Sequence, residues 1–323
     1  MNKLSRIYIA GHRGLVGSAI SRELQRCGYS NIVWRTRSEL DLTQTQAVRE
    51  FFLSERPEYV FLAAAKVGGI AANDRYPVEF LLENLKIQTN VIESAFESGV
   101  KRLLFLGSTC IYPKFAQQPI REEYLLTGPL EPTNRAYAIA KIAGVELIWS
   151  YNRQFGTRYL AIMPTNLYGP NDNFDLETSH VVPALIRKVI DAKMAGAPSV
   201  TIWGTGTPRR ELMYCDDLAQ ACIFLLSLPD EQLSQLLHED GPPLINVGTG
   251  QDWSITEIAK MVCKVVDYDG TLHYDITKPD GTPRKLSDVS RLTAFGWHAR
   301  TDLEDGIRKT VEWLMESVLL KSA

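Results

Sequence analysis

A tyrosine and a lysine four residues apart form the feature of the sequence best suited to proton transfer. Tyr137 and Lys141 lie in a stretch with helical periodicity, so both side chains project from one face. A cation about 4 Å away, at an effective dielectric of ~20, favours a phenolate by on the order of 4 kcal/mol before burial opposes it. The pair is therefore predicted to exchange protons near neutral pH, although the same spacing also occurs in a packed ring beside a surface lysine.

Three further residues have side chains that could act on a substrate. Ser108 and Cys110 follow the apolar run RLLFLG (102–107), and open α/β sheets bind ligands at the carboxyl ends of such strands. Cys110 alone would also fit as a small buried hydrophobic residue. His180 follows Thr178-Ser179, where a helix is predicted to begin, and would also fit as a residue near a helix cap.

A glycine-rich loop, GHRGLVG (11–17), stands between the first apolar run and the first helical pattern. Glycines at such a turn permit close approach of the backbone to a pyrophosphate, and the helix start supplies free N–H groups. A simple strand-to-helix turn is the alternative. Because the loop follows the first strand of an α/β pattern, we interpret it as a dinucleotide-binding loop.

The stretch after the second strand predicts the type of dinucleotide. An NAD site usually has a carboxylate there to bind the ribose 2′-hydroxyl, whereas VWRTRS (33–38) has none and contains Arg35 and Arg37. Guanidinium groups pair well with a 2′-phosphate, which predicts NADPH as the cofactor. The alternative is that both arginines are solvated surface residues.

The elements that must position these residues alternate between short apolar runs and longer amphipathic segments. This pattern predicts an α/β fold with a doubly wound parallel sheet covered by helices on both faces. Strands are predicted near 6–10, 31–35, 59–64, 102–107 and 158–163. Helices are predicted near 15–27, 44–55, 78–98 and 134–155.

After residue 165 the pattern loosens, which predicts a smaller second domain. Helices are predicted near 180–194, 216–228, 254–266 and 302–316, with strands near 199–203 and 244–248. We expect a dinucleotide-binding domain over 1–165, to which a segment near 215–250 returns, and a discontinuous substrate domain over 166–323.

Composition restricts the class of protein. The chain has 323 residues, 35 Lys+Arg, 38 Asp+Glu and 45% hydrophobic residues, which excludes disordered, collagenous and coiled-coil proteins. A net charge of −3 gives no general attraction to nucleic acid or membranes. Without a signal-peptide core, an apolar span or paired cysteines, we expect a cytoplasmic protein. No metal is expected, because ligand spacing is lacking at the remaining histidines, His12, His238, His273 and His298.

The glycine loop, Ser108 and the Tyr137-x-x-x-Lys141 pair occur in an order and at separations that resemble the extended short-chain dehydrogenase/reductase family. Members of that family act on nucleotide sugars. The resemblance implies a Rossmann-like fold with a smaller C-terminal α/β substrate domain. It also implies that Ser108, Tyr137 and Lys141 form the reducing triad.

Longer strings resemble the GDP-L-fucose synthase family across nearly the whole chain. They are AAAKVGGI (63–70), GSTCIYPK (107–114), EPTNRAYAIAKIAG (131–144), MPTNLYGPNDNF (163–174), SHVVPALIRK (179–188) and KPDGTPRK (278–285). The resemblance implies that GDP-4-keto-6-deoxy-mannose is epimerised at C3 and C5 and then reduced at C4 with NADPH. It assigns the base and the acid of the epimerisation to Cys110 and His180.

The same resemblance implies two further sets of contacts. The cofactor set is Gly11, His12, Arg13, Gly14, Leu15, Val16, Gly17, Arg37, Asp41, Leu42, Leu106, Gly107, Lys141, Pro164, Thr165, Asn166, Leu167 and His180. The substrate set is Lys188, Trp203, Arg210 and Asp280. Lys188, Arg210 and the basic residues of 278–285 supply local cations for a diphosphate in an otherwise acidic protein. The alternative for 278–285 is a plain turn.

Two other functions stay open at this stage. One is a 4-epimerase or dehydratase of the same fold that keeps NAD bound, against which the two arginines and the Cys110/His180 pair argue. The other is a non-catalytic NADP-binding protein, which would have no need of the complete triad. By resemblance we also expect a homodimer, formed by packing of helices 78–98 and 134–155.

Overall fold

The computed structural model describes residues 1–176, 178–237, 240–278 and 280–322, so His238 and Pro279 lie outside the described residues. None of the helices in these ranges is long and apolar enough to cross a membrane. The helices are α1 (Leu15–Arg26), α2 (Thr45–Glu55), α3 (Ile70–Arg75), α4 (Pro77–Glu97), α5 (Arg135–Phe155), α6 (Val181–Met194), α7 (Cys215–Ser227), α8 (Asp230–Leu236), α9 (Ile255–Val266), α10 (Ser290–Ala294) and α11 (Leu303–Ser322).

The larger sheet is parallel throughout and has the strand order β2-β1-β3-β4-β5-β9 in the described part of the chain. Its strands are β1 (Ile7–Ala10), β2 (Ile32–Val33), β3 (Tyr59–Leu62), β4 (Arg102–Leu106), β5 (Tyr159–Pro164) and β9 (Leu244–Val247). The order reverses between β1 and β3, and open α/β sheets bind ligands at the carboxyl ends of the strands beside such a reversal.

Helices cover both faces of this sheet, as the apolar strands predict. Ile9 points to the face covered by α1 and α7, whereas Tyr8 points to the face covered by α2, α4 and α5. Successive residues of a strand face opposite sides, so a strand that is apolar at every position must be covered on both. The predicted Rossmann-like, doubly wound α/β fold is confirmed.

The second half of the chain builds a smaller unit around a short sheet with β8 (Arg209–Tyr214) at its centre. This strand pairs with β6 (Asn166–Tyr168), β10 (Asp252–Ser254) and β12 (Arg284–Lys285). A separate pair is formed by β7 (Ser199–Trp203) and β11 (Thr271–Asp275). Apolar residues of α6, α9 and α11 pack together beside these strands. The unit contacts the larger sheet at the ends of β5 and β9, where the candidate site lies.

Several short elements were not predicted, namely α3, α8, α10, β6, β8, β10, β11 and β12. They have two to seven residues, too few for a helical or alternating pattern to stand out. One predicted strand is shorter than expected: β2 ends at Val33 rather than at Arg35. Residues 34–36 have no regular structure and a turn begins at Arg37, so the alternation of strand faces does not extend to the two arginines.

Candidate active site

The loop after β1 lets a ligand approach its backbone closely. Gly11 has a φ of 85°, in the left-handed region, and a Cβ there would lie 2.8 Å from the Ala64 nitrogen. A Cβ on Gly17 would collide with the Gly11 carbonyl group. Helix α1 begins after Gly14, which has no side chain to cap it, so the first N–H groups stay available to an anion. This cradle fits the pyrophosphate of a dinucleotide.

The two arginines after β2 have different surroundings. The Arg35 guanidinium donates to the Glu55 carboxylate at 2.5 Å, and Glu55 also pairs with Arg6, which precedes β1. This cluster lies at the amino end of the strands, away from the glycine loop, so the geometry does not support the prediction for Arg35. Arg37 is largely exposed and forms a longer ion pair, with its guanidinium 3.6 Å from the Glu83 carboxylate.

Other residues of the predicted cofactor set lie near the same edge of the sheet. The His12 ring stacks on Trp34 with 5.9 Å between ring centroids, and Arg13 is exposed beside it. Asp41 accepts hydrogen bonds from the backbone and hydroxyl of Thr43. The remainder of the set lies in the glycine loop, beside Asp41, or at the ends of β4 and β5 and in β6, namely Leu15, Val16, Leu42, Leu106, Gly107, Pro164, Thr165, Asn166 and Leu167.

Lys141 lies in the interior below this edge. Only 3% of its surface is exposed, and its ammonium donates to the Leu106 carbonyl at 2.7 Å. The nitrogen lies 4.7 Å from the centroid of the Phe105 ring and 5.8 Å from that of Tyr137. No carboxylate among the described residues pairs with it, and burial lowers its pKa to about 7.

Tyr137 stands one helical turn before Lys141, with its ring edge-on to Phe80 at 6.4 Å. It keeps some accessible surface, yet protein atoms surround it closely enough for burial to raise its pKa above 10. The nearby Cys110 raises the pKa further, whereas a hydrogen bond with Ser108 lowers it. Burial is the largest of these causes, so the pKa of Tyr137 lies above its ordinary value, opposite to the direction predicted from the neighbouring lysine.

Cys110 and His180, which are 70 residues apart, face a common cation. The Ser108 hydroxyl accepts the backbone N–H of Cys110 at 3.2 Å, and the Cys110 sulfur lies 3.5 Å from the ammonium of Lys285. His180 precedes α6 and is exposed by its accessible surface, but neighbouring protein atoms lower its pKa, and Lys285 lowers it further. The structure thus brings Ser108, Cys110, Tyr137 and His180 to one cleft.

The four predicted substrate residues form a second cluster in the smaller unit. The Lys188 ammonium lies 5.1 Å from the centroid of the Trp203 ring, which is 58% exposed. The next residue, Gly204, packs against Asp280, whose carboxylate accepts the backbone N–H of Thr205 at 2.9 Å. Arg210 lies against the backbone just after Asp280, and burial lowers its pKa. The cluster offers an aromatic surface beside cations.

Sequence reasoning missed Glu211. This fully buried carboxylate accepts backbone N–H groups from Thr249, Gly250 and Ser287, each at 2.8 Å. It joins β8 to the turn after β9 and to the segment that carries Lys285. A glutamate that follows two arginines in TPRREL looks like a surface residue, so its role leaves no signal in the sequence.

Comparisons with known proteins agree with this geometry. Residues 7–248 match the NAD dependent epimerase/dehydratase family. GDP-L-fucose synthase 1 of Arabidopsis thaliana is 55% identical, over 98% of this chain and 95% of that protein. GDP-L-fucose synthase of Escherichia coli K12 is 52% identical, over 97% of each chain.

A solved structure extends the comparison. The GDP-mannoheptose C4 reductase of Campylobacter jejuni, with NADP bound, is 40% identical and superimposes with a TM-score of 0.87 over 98% of this chain and 99% of that chain. The glycine loop and the triad follow the order expected for such enzymes. The chain therefore belongs to the NAD dependent epimerase/dehydratase family and, within it, to the GDP-L-fucose synthase group.

Proposed function

We propose that this protein is a bifunctional 3,5-epimerase and 4-reductase that converts GDP-4-keto-6-deoxy-D-mannose to GDP-L-fucose with NADPH. One observation carries the proposal. The thiol of Cys110 and the imidazole of His180 share a cleft with Ser108 and Tyr137, the pair suited to binding a carbonyl oxygen. Relatives of this name, more than half identical over nearly the whole chain, support it.

A single carbonyl group accounts for both inversions. The hydrogens at C3 and C5 flank the C4 carbonyl, so each becomes acidic once the developing enolate oxygen is stabilised. Ser108 and Tyr137 donate hydrogen bonds to that oxygen. Inversion also needs a base on one face of the sugar and an acid on the other. Cys110 and His180 are suited to these roles, because a thiol and an imidazole exchange protons near neutral pH.

The same residues then serve the reduction. NADPH, when bound in the cradle of the glycine loop, supplies the hydride for C4. Tyr137 gives its proton to O4, and its raised pKa means that it holds that proton at neutral pH. Lys141, whose ammonium lies 5.8 Å from the centroid of the ring, stabilises the phenolate that remains and would hold the cofactor ribose. Water then restores the proton to Tyr137.

The direct test combines purified protein, NADPH and GDP-4-keto-6-deoxy-D-mannose, follows absorbance at 340 nm, and determines the product sugar by NMR. NADPH loss with an L-galacto-configured product supports both activities. NADPH loss with a D-configured product would reduce the proposal to a 4-reductase, the activity named for the Campylobacter neighbour. No NADPH loss would point to another nucleotide sugar.

Removal of either proton-transfer group should separate the two activities. We expect Cys110→Ser and His180→Gln to slow deuterium incorporation at C3 and C5 from D₂O by about 10²- to 10⁴-fold, the usual contribution of acid–base groups. Reduction of a 4-keto sugar that needs no inversion should stay within about twofold. Cys263→Ser, on α9, is the matched thiol control. A Cys110 or His180 variant with normal exchange would remove that residue from the mechanism.

Coenzyme preference should depend on Arg37. Because a guanidinium–phosphate pair contributes roughly 1.5–3 kcal/mol, we expect Arg37→Asp to raise the KM for NADPH by about 10- to 100-fold and to change that for NADH little. Arg35→Gln is the control, since Arg35 is paired with Glu55, and should leave the ratio of the two KM values unchanged. Equal effects of Arg37→Asp on both coenzymes would contradict the NADPH assignment.

We infer that the cluster of Lys188, Trp203, Arg210 and Asp280 contacts the GDP moiety. The ring of Trp203 is available for stacking, and a second lysine, Lys278, lies 5.5 Å from its centroid. Two lysines and a half-buried arginine supply the positive charge that a diphosphate requires. The guanine base itself is inferred from the relatives named above.

We also infer that the chain divides into a cofactor-binding domain and a substrate-binding domain. Residues 1–165 form the cofactor-binding domain, joined by the segment near 215–250, and the remainder of 166–323 binds the sugar nucleotide. Pairing of β9 with β5, and packing of α7 on α1, support this division.

We further infer that the protein forms a homodimer through helices α4 and α5. These neighbouring helices expose Val78, Leu82 and Ile139, and apolar side chains of this kind favour an interface.

A further inference from the structure

Lys285 is a half-buried cation whose nearest polar partner is a thiol. Its ammonium donates to the Cys110 sulfur at 3.5 Å. Among the described residues, no carboxylate lies within ion-pair distance of it. Surface lysines commonly pair with carboxylates or extend into water, so a cation placed against a sulfur needs an explanation. The turn-rich sequence predicted only that this lysine adds charge for a diphosphate.

The backbone around Lys285 is fixed by the fold. Residues 284–285 pair with β8, and the next N–H, that of Leu286, donates to the Gln118 side chain at 2.8 Å. The N–H of Ser287 donates to the buried carboxylate of Glu211 at 2.8 Å. The segment is therefore held on both sides of Lys285, and the side chain is built into the cleft.

The other titratable groups that face Cys110 carry no charge at neutral pH. Burial raises the pKa of Tyr137, which keeps the phenol protonated. Burial and Lys285 lower the pKa of His180, which keeps the imidazole neutral. The positive charge of Lys285 has no counter-charge in this cleft unless Cys110 loses its proton. A cation in direct contact with a thiol stabilises the thiolate.

We propose that Lys285 is a positioning residue that holds Cys110 as a thiolate and so makes Cys110 the base of the epimerisation. This inference rests on the proposed function. The thiolate takes the proton from C3 or C5, the C–H electron pair forms a carbon–carbon double bond, and the carbonyl electron pair moves to O4. The sulfur then carries the proton and releases it to water. His180 takes up a proton from water, and the resulting imidazolium gives it to the carbon on the opposite face as the carbonyl reforms.

The test measures the thiol directly, in the full-length protein without ligands. Iodoacetamide alkylation of Cys110 is followed from about pH 5 to pH 10, and mass spectrometry of its peptide separates it from the other cysteines. We expect Lys285→Met to move the midpoint of this profile up by about 1 to 2 pH units, which slows alkylation at pH 7 by roughly 10- to 100-fold. Lys285→Arg should keep the wild-type midpoint.

Two comparisons decide the outcome. Lys278→Met removes a lysine from the same segment, but one that lies over Trp203, and should leave the profile unchanged. If Lys285→Met also leaves the profile unchanged, the proposal is overturned, and a raised KM for the sugar nucleotide would assign Lys285 to substrate binding. Lys285→Gln replaces the Met variant if that variant does not fold. Because alkylation needs no turnover, failure of the proposed function would leave this measurement intact.

Discussion

Replacement of Tyr137 by phenylalanine is expected to lower kcat for NADPH oxidation by about 10²- to 10⁴-fold, the range for loss of a general acid. The phenol is the group proposed to give O4 its proton, and the other residues of α5 one helical turn from Lys141, namely Ala138, Gly144 and Val145, have no proton to donate. Phenylalanine keeps the edge-on contact with Phe80, so the fold should be unaffected. The measurement is initial rate at 340 nm with saturating substrate.

The control for this variant is another tyrosine of the same helix. Tyr151 packs with Phe96 and Phe155 toward the end of α5, and Tyr151→Phe should retain wild-type kcat. Far-UV circular dichroism confirms that both variants fold. If Tyr137→Phe kept more than about one tenth of wild-type kcat, Tyr137 would not be the proton donor.

Lys141→Met is expected to abolish most activity and yet to stabilise the ligand-free protein. In the unfolded chain this amine titrates near its ordinary pKa of 10.5, whereas burial lowers the folded value to about 7. Between these values the unfolded state binds more protons, so the free energy of unfolding rises with pH across this window. At pH 7 and below, the charged lysine costs roughly 4–5 kcal/mol, and above about pH 10.5 it costs nothing.

Methionine removes this cost, but it also removes the hydrogen bond to the Leu106 carbonyl. Loss of that bond destabilises the folded protein by about 1–3 kcal/mol. We therefore expect the free energy of unfolding, from urea titration at pH 7, to rise by roughly 1–4 kcal/mol. The difference from wild type should shrink as the pH approaches 10. Lys86→Met, on the exposed face of α4, is the control. A stability difference that does not change with pH would show that the buried ammonium is not its cause.

The fold of the first half could be predicted because its elements are long or wholly apolar. Each of its four predicted helices and five predicted strands begins within about one residue of the observed element, except that β2 is cut short. In the second half, strands such as β6 and β12 are stabilised by pairing with β8 rather than by their own pattern. Tertiary pairing of that kind leaves no local periodicity to detect.

The parts of the site that could be predicted are those whose residues lie close together in the sequence, on one helix or in one turn. Tyr137 and Lys141 share a helix face, and the three glycines share one turn, so their proximity follows from local geometry. Proximity of Cys110 and Lys285 depends on β12, a two-residue strand whose Lys285 lies 175 residues further along the chain. The pKa of Tyr137 also could not be predicted from the sequence. Burial depends on all the residues around the ring rather than on one neighbouring lysine.

The last strand of the larger sheet is synthesised long after the other five. Five of its strands are complete by Pro164, but β9 ends only at Val247. At ~5–20 residues per second, roughly 4 to 16 s separate the emergence of these two points. During that interval the outer edge of β5 has no partner, although its residues are fully buried in the finished molecule. An open edge of this kind pairs readily with other chains, so the nascent protein depends on chaperones or on rapid translation through residues 165–247.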